Sequence, residues 1–242
     1  MKFKLKILYE DNHILVVEKF PGVLSQPDAT DNPNMVHIVK DYLRIAYKKP
    51  GDAYVGLVQR LDRPVGGVMV MAKTSKAFER LQSQMKAREV NKYYLAVSNQ
   101  APPQEEDLLH HWLLKNDKVN RTSVYEEEVE GSKESKLIYK LLGEHEGRYL
   151  FQIKLITGRS HQIRSQMAHI GCPLLGDVKY GHPMSKLGYY LALYAFYLQF
   201  THPVTKEELS FFNLPRVKEY WVGFEEIFPK EKPAEMKYSS SL

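Results

Sequence analysis

The stretch 59–74 restricts the fold more than any other part of the chain, because loop-forming residues run directly into an apolar segment. Proline at position 64 restricts the residue before it to extended or turn conformations. The two glycines that follow permit positive φ and close backbone approach. Val68–Met71 then has the continuous apolar character of a buried strand. We therefore predict that Asp62 lies on a loop that a core strand keeps in position, which is where functional groups commonly lie.

From spacing alone, the role of Asp62 stays open. A carboxylate between Arg60 and Arg63 is most often part of an ion pair at the surface, where it contributes little stability. A catalytic carboxylate is the less common alternative, and the motif by itself does not separate the two.

Composition narrows the class of protein. The chain has 242 residues, of which 43% are hydrophobic and 26% charged, as in ordinary globular proteins. Its net charge of +5 suits an anionic partner, with nucleic acid the first candidate. A single cysteine, Cys172, excludes an internal disulfide and a cysteine-based metal cluster. No stretch is apolar and long enough for a signal peptide or a membrane span, so we predict no membrane partner.

Hydrophobic periodicity predicts strands alternating with three helices. The predicted helices cover 33–49, a segment that begins after Thr74 or Ser75, and a short segment from Thr157 to Ile170. We expect the N-terminal amides of this third helix to form an anion site. The predicted strands cover 7–9, 14–18, 68–71, 91–98, 135–142, 148–156, 189–200 and 209–214, and for the apolar core segment 189–200 a mixed conformation stays the alternative.

Two polar regions interrupt this pattern. Residues 99–134 are charge-rich and predict either an insertion loop or an edge hairpin. Consecutive carboxylates at 126–128 do not converge on one face of a helix or strand, so we predict no metal site there. Nor do His161 and His169 have the spacing of a zinc hydrolase. Residues 229–242 have the composition of a disordered tail.

Four segments in order resemble the motifs of the RluA-type pseudouridine synthases. Residues 60–63, Arg-Leu-Asp-Arg, are similar to the motif that carries this family's catalytic aspartate, which corresponds to Asp62. Residues 14–23 resemble its opening strand and Lys-Pro-x-Gly turn, and residues 91–97 its Lys-x-Tyr strand. The third motif of the family is matched by 157–164 together with 168–181.

The resemblance implies a fold and a reaction. The fold is an α+β domain over residues 1–228, with a mixed, mainly antiparallel sheet flanked by helices and loops. The implied reaction converts uridines of structured ribosomal or transfer RNA to their C5-linked isomer, without a metal or an organic cofactor. We also expect a cytoplasmic monomer that lacks a separate N-terminal RNA-binding domain, so residues 99–134 would help to select the RNA.

The resemblance also implies roles for individual residues. Asp62 is the catalytic carboxylate, acting as nucleophile or as base, and Arg164 pairs with it. Tyr94 packs against the uracil base and assists loss of its C5 proton. The implied substrate- and RNA-binding residues are Arg60, Arg63, Ile163, Arg159 and His161.

Three positions depart from the family pattern and keep a second function open. Gln59 stands where the family usually has His, Val65-Gly66 where it has Thr/Ser-Ser, and Phe20 where it has Pro. A protein of this fold that only binds or chaperones RNA is the alternative that these departures suggest. A metal-dependent nuclease is a third hypothesis, and it predicts inhibition by chelators.

Overall fold

The computed structural model describes residues 5–30, 32–48, 50–181 and 190–236. These residues belong to two compact units. The first unit draws on Met1–Val90 and Ala195–Asn213, and the second on Asn91–Tyr194 and Leu214–Leu242.

Strands dominate both units. In chain order they are β1 (Lys6–Glu10), β2 (Ile14–Lys19), β3 (Gly56–Leu57), β4 (Gly66–Ala72), β5 (Asn91–Ser98), β6 (Glu106–Asn116), β7 (Arg121–Tyr125), β8 (Lys133–His145), β9 (Arg148–Leu155), β10 (Leu193–Thr201) and β11 (Glu208–Phe212). The helices are α1 (Met35–Ala46), α2 (Ser75–Ala87) and α3 (Gln162–His169), and a 3-10 turn spans Glu219–Trp221.

The sheet of the first unit has the order β1-β2-β4-β10, with β3 also on β4 and β11 on β10. Every residue of β4 is buried, as its unbroken apolar sequence predicts. Val68 and Val70 of β4 pack in one core cluster with Ala77 and Leu81 of α2. Gly67 has a φ of +131°, and a Cβ there would overlap the backbone of Ala195 on β10. Strand β4 is thus fixed closely in the core, and with it the end of the loop that carries Asp62.

Side-chain caps determine where the first two helices begin. The Asn34 side chain accepts a hydrogen bond from His37 N at 2.9 Å, so α1 starts at Met35, two residues after the predicted start. Thr74 Oγ1 accepts from Ala77 N at 3.2 Å, so Thr74 and not Ser75 caps α2. Helix α1 ends at Ala46, three residues before the predicted end at 49, and Tyr47 after it has left the helical conformation with φ −105° and ψ 10°.

The second unit is built on antiparallel strands in the order β5-β9-β8-β6-β7. Most of the polar stretch 99–134 forms the β6–β7 hairpin, which was one of its two predicted forms. Alternate residues of β6, namely Leu109, His111 and Leu113, are buried, and their neighbours are more exposed. Because successive side chains of a strand point to opposite faces, one face of this charged segment is buried and the other is more exposed.

The third helix is shorter than predicted. It begins at Gln162 and not at Thr157, because Gln162 Oε1 accepts hydrogen bonds from Thr157 Oγ1 at 2.8 Å and Arg159 N at 3.0 Å. These bonds stabilise a non-helical turn before the helix, and His161 at its N-cap is left-handed with φ +53°. The prediction that this helix begins at Thr157 is therefore wrong, and the anion site at its N-terminal amides stays a prediction.

The described residues after Phe228 pack against β9 within the second unit. Lys154 Nζ donates to Met236 O at 3.1 Å, and the Met236 side chain is buried. Residues 237–242, the rest of the predicted tail, lie outside the described residues, as does Tyr189 at the start of one predicted strand.

Strands and helices together confirm the predicted α+β class. Within the described ranges, no helix combines the length and apolar character needed to cross a membrane.

Candidate active site

The loop that carries Asp62 lies between β3 and β4, and Ser25 forms two hydrogen bonds with its backbone. Ser25 Oγ donates to Leu61 O at 2.6 Å and accepts from Leu61 N at 3.0 Å. Val65 N donates to Asp62 O at 3.0 Å and closes a turn around the carboxylate. Leu61 is buried and Asp62 is partly exposed. The backbone next to the carboxylate is therefore fixed, and its side chain remains accessible to solvent.

Lys19 at the end of β2 adds a second support. Its side chain is fully buried, and Nζ donates to Val65 O at 2.6 Å and to Arg63 O at 3.1 Å. Burial lowers the pKa of Lys19 to about 7, against the opposing effect of the Asp62 charge. An ammonium group under this loop contacts its backbone and contributes positive charge near Asp62.

The two arginines beside Asp62 have different surroundings. Arg63 Nε donates to Gly22 O at 3.2 Å, and Gly22 N donates to Arg63 O at 2.8 Å. Arg63 thus connects the loop to the turn after β2, whereas the Arg60 side chain is exposed. Gln59 donates through Nε2 to Val68 O at 3.2 Å, so this departure from the family pattern contacts the backbone of β4.

In the second unit, Arg164 of α3 forms a two-point ion pair with Asp177. Arg164 Nε lies 2.7 Å from Asp177 Oδ2, and a terminal guanidinium nitrogen lies 2.8 Å from Oδ1. Both side chains are buried. Burial alone raises the pKa of Asp177, but the hydrogen bonds and charge of Arg164 outweigh it, and the pKa falls below its usual value. This pair orients the guanidinium group that sequence analysis assigns to catalysis.

Tyr180 links three segments around this pair. Its hydroxyl accepts from Thr122 N on β7 at 2.7 Å and lies 2.8 Å from His161 Nδ1. The guanidinium carbons of Arg121 and Arg164 each lie 5.3 Å from the centre of its ring. Tyr180 therefore contacts the β6–β7 hairpin, the turn before α3 and the buried guanidinium group of Arg164.

The remaining predicted residues of this unit occupy distinct places. Tyr94 is 7% exposed and Ile163 5% exposed, so each presents little surface in this conformation. Arg159 Nε donates to Glu134 O at 2.9 Å, which fixes its guanidinium group against β8.

The structure thus places the predicted residues in two groups. Asp62, Arg60 and Arg63 share the loop of the first unit, and Arg164, Ile163, His161 and Arg159 lie on or beside α3 in the second. The predicted pairing of Arg164 with Asp62 stays a prediction.

The sequence motifs did not indicate that Lys19 contacts the loop with Asp62, or that Asp177 and Tyr180 contact Arg164. All three lie inside the segments 14–23 and 168–181 that resemble family motifs. The available signal for Lys19 was its place in a strand that begins with the apolar run Ile14–Val17, because lysine is rarely buried without partners.

Comparison with known proteins identifies the family. Residues 13–169, well over half of the chain, match the model of the RNA pseudouridylate synthase family. The chain belongs to this family. The match includes Asp62, Tyr94 and Arg164, and it confirms the resemblance that the motifs predicted.

Two relatives from the synthase family align with most of this chain. A ribosomal large subunit pseudouridine synthase C of Buchnera aphidicola is 31% identical over 86% of this chain and 66% of its own length. A tRNA pseudouridine synthase C of Yersinia pestis is 32% identical over 90% of this chain and 89% of its own length. The chain therefore spans about two thirds of one curated relative and most of the other.

A solved structure supports the synthase fold. Human RNA Pseudouridylate Synthase Domain Containing 4 superposes with a TM-score of 0.72 over 87% of this chain and 89% of that chain. At 21% sequence identity, this likeness bears on the fold alone.

Proposed function

We propose that this protein is an RNA pseudouridine synthase, an isomerase that converts uridine in structured RNA to pseudouridine. The observation that carries the proposal is the family match over residues 13–169, with an aspartate at position 62 on a loop supported by Lys19 and Ser25. The reaction breaks the bond between ribose C1′ and uracil N1 and forms one between C1′ and C5. Both bonds belong to the same nucleotide, so the isomerisation requires no second substrate.

Asp62 is the carboxylate of this reaction in our proposal. As a nucleophile its oxygen adds to the nucleoside, and as a base it removes a ribose proton. Its partial exposure lets a nucleotide approach, and the fixed Leu61 backbone keeps its position constant. Lys19 Nζ donates to Val65 O and Arg63 O on either side of Pro64 and so helps to hold the loop that carries Asp62.

Tyr94, Ile163 and Arg164 complete the proposed site. In the proposal Tyr94 and Ile163 pack on opposite faces of the uracil base, and Tyr94 assists the departure of the C5 proton. Arg164, oriented by Asp177, presents a guanidinium group to the carboxylate of Asp62. A uridine enters this site only after it leaves its stack, at a cost of a few kcal/mol that is lowest in loops.

RNA is the proposed partner because the relatives are named for ribosomal and transfer RNA, and because the net charge of +5 attracts phosphates. Arg60, exposed beside Asp62, is the proposed contact with RNA at the loop. Arg63, Arg159 and His161 contact protein groups, so we propose that they shape the RNA site. We further propose a monomer that acts in the cytoplasm, to be tested by light scattering during gel filtration and by cell fractionation.

The decisive test measures tritium release from RNA that carries C5-tritiated uridine. We expect the wild type to release tritium and Asp62→Asn to release none while it binds the same RNA with unchanged affinity. Asp52→Asn is the matched control, because the Asp52 side chain is 84% exposed and pairs only with Lys40 among the ion pairs described.

Two outcomes would contradict the proposal. Tritium release by a folded Asp62→Asn variant would remove Asp62 from the chemistry. A wild type that binds ribosomal and transfer RNA but releases tritium from neither would favour the alternative of an RNA-binding protein without isomerase activity.

A further inference from the structure

Three side chains of the second unit converge at the end of α3, apart from the residues assigned to the isomerase. His111 lies on β6, Glu126 directly follows β7, and His169 is the last residue of α3. Their candidate ligand atoms all lie within 4.8 Å of one another. His169 Nε2 is 2.7 Å from Glu126 Oε1, and His111 Nε2 is 3.6 Å from Glu126 Oε2. Two imidazoles and one carboxylate from three separate elements therefore point at one small volume.

We propose that His111, Glu126 and His169 form a binding site for a divalent transition metal ion, with Zn²⁺ the preferred occupant. Imidazole nitrogen and carboxylate oxygen are common zinc ligands, and three protein ligands leave the fourth tetrahedral position to water. Carbonyl groups at the end of α3 add negative potential there, which favours a cation.

Burial of the three ligands suits both entry and retention of an ion. His111 is 6% exposed, so its imidazole lies at the buried base of the site. The side chains of Glu126 and His169 are 71% and 35% exposed, so an ion can reach the site from solvent. The site has one fixed ligand at its base and two adjustable ligands at its rim.

Gln166 determines which nitrogen of His111 can face the ion. Gln166 Nε2 donates to Leu109 O at 3.2 Å and lies 2.9 Å from His111 Nδ1. Its Oε1 is buried and has no hydrogen-bond partner within the described part of the chain. Metal on His111 Nε2 requires the ring proton on Nδ1, facing an acceptor. Rotation of the Gln166 side-chain amide by half a turn places Oε1 against His111 Nδ1 as this acceptor. The hydrogen bond from Gln166 Nε2 to Leu109 O is then lost.

This site differs from the acidic cluster that sequence analysis considered and rejected. The consecutive carboxylates at 126–128 do not converge, but Glu126 meets two histidines that are distant in the sequence. An ion there would connect the β6–β7 hairpin to the helix that carries Arg164. Its proposed role is to stabilise this arrangement, and the inference does not depend on the isomerase activity.

The first experiment measures Zn²⁺ binding to the full chain by competition with a chromophoric chelator. We expect the wild type to bind one equivalent, and Glu126→Gln and His169→Ala to lose affinity by about tenfold or more. His110→Ala is the matched control, because His110 is the next residue on β6 and faces Glu134 on the opposite side of the strand. We expect this control to bind zinc as the wild type does.

A second experiment separates a built site from loose surface binding. Co²⁺ in a tetrahedral site produces visible absorption, which we expect in the wild type and His110→Ala and not in His169→Ala. Thermal melts with Zn²⁺ and with a chelator should differ for the wild type and coincide for Glu126→Gln and His169→Ala. Glu126 and His169 are exposed, so we expect both variants to fold. Their melting curves in the presence of chelator check this. Zinc affinity equal in all four proteins, or no binding by the wild type with zinc in excess, would overturn the proposal.

Discussion

Arg164 and Asp177 form a buried two-point ion pair, with nitrogen–oxygen distances of 2.7 and 2.8 Å. The pair joins α3 to the turn at 176–181, where Lys179 N and Tyr180 N also donate to Asp177 Oδ1 at 2.9 and 3.2 Å. Thirteen positions separate the two partners in the sequence. The geometry means that the arginine proposed for catalysis depends on an acid that no sequence pattern assigned to the site.

Replacing Asp177 by Asn should lower the free energy of unfolding by about 3 kcal/mol, because it leaves the buried guanidinium without its counter-charge. Urea denaturation of the purified chain measures this change. Asp117→Asn is the control, since the Asp117 side chain is 82% exposed and its pair with Lys115 lies at the surface. Equal stability of the Asp177→Asn variant and the wild type would show that the pair contributes no net stability.

The same pair predicts an acid-dependent loss of stability. The folded-state pKa of Asp177 lies below 3.8, so its contribution is complete above the unfolded-state pKa and is lost as pH falls through the folded-state value. Urea denaturation of the wild type between pH 5 and pH 2 should show this loss, and Asp177→Asn should lack its share of it. Parallel acid limbs for the two proteins would contradict the prediction.

Lys19 predicts a further rise of stability with pH, in the neutral to alkaline range. Its pKa is about 7 in the folded chain and 10.5 ordinarily, so the unfolded chain binds more protons between these values. The free energy of unfolding should therefore rise with pH across this window, by up to about 5 kcal/mol at 1.36 kcal/mol per pKa unit. Lys19→Met should lack this rise, and it should also lose isomerase activity because Val65 O and Arg63 O lose their donor.

Chemical denaturation at pH 7 and pH 9 compares the two proteins. Lys76→Met is the control, because this exposed lysine of α2 makes none of the loop contacts. A rise of stability with pH in Lys19→Met that matches the wild type would assign the effect to other groups.

Ser25→Ala should reduce kcat for pseudouridine formation about 10- to 100-fold, because small displacements of a reacting group are costly. The variant removes both hydrogen bonds between Ser25 Oγ and Leu61, next to Asp62. Leaving Leu61 N without an acceptor should cost about 1–3 kcal/mol of stability. Ser83→Ala, on the exposed face of α2, should change neither quantity. An unchanged kcat would show that Ser25 does not position the catalytic loop.

Tyr180→Phe should loosen the β6–β7 hairpin while the aromatic ring stays against Arg164. Thr122 N loses its acceptor, so its amide should exchange with deuterium faster, and stability should fall by about 1–3 kcal/mol. Tyr125→Phe, on the same hairpin but 37% exposed, is the matched control. If the Thr122 amide exchanged with deuterium at the wild-type rate in Tyr180→Phe, the Tyr180 hydroxyl would not stabilise the hairpin.

Local sequence determined several elements of this protein and the placement of Asp62 on a loop. Strand β4 follows from an apolar run, and α2 follows from its periodicity and the cap at Thr74. The loop with Asp62 follows from Pro64 and from the two glycines with which β4 begins. Each of these features depends on neighbouring residues, whose spacing decides which backbone conformation buries apolar surface and satisfies hydrogen bonds.

The start of α3 shows where local reasoning failed. Thr157 has the chemistry of an N-cap, but Gln162 takes its hydroxyl and the amide of Arg159, and the helix begins five residues later. Competition between two side chains for the same donors depends on the folded turn, so the pattern of residue types did not predict it.

Only the tertiary structure decided which partners the ionisable side chains meet. Lys19 lies beneath the loop with Asp62, Asp177 faces Arg164, and Glu126 meets His111 and His169. A charge loses its hydration when it is buried, so its pKa and its contribution to stability depend on the partners that surround it. Those partners are distant in the sequence, and folding alone brings them together.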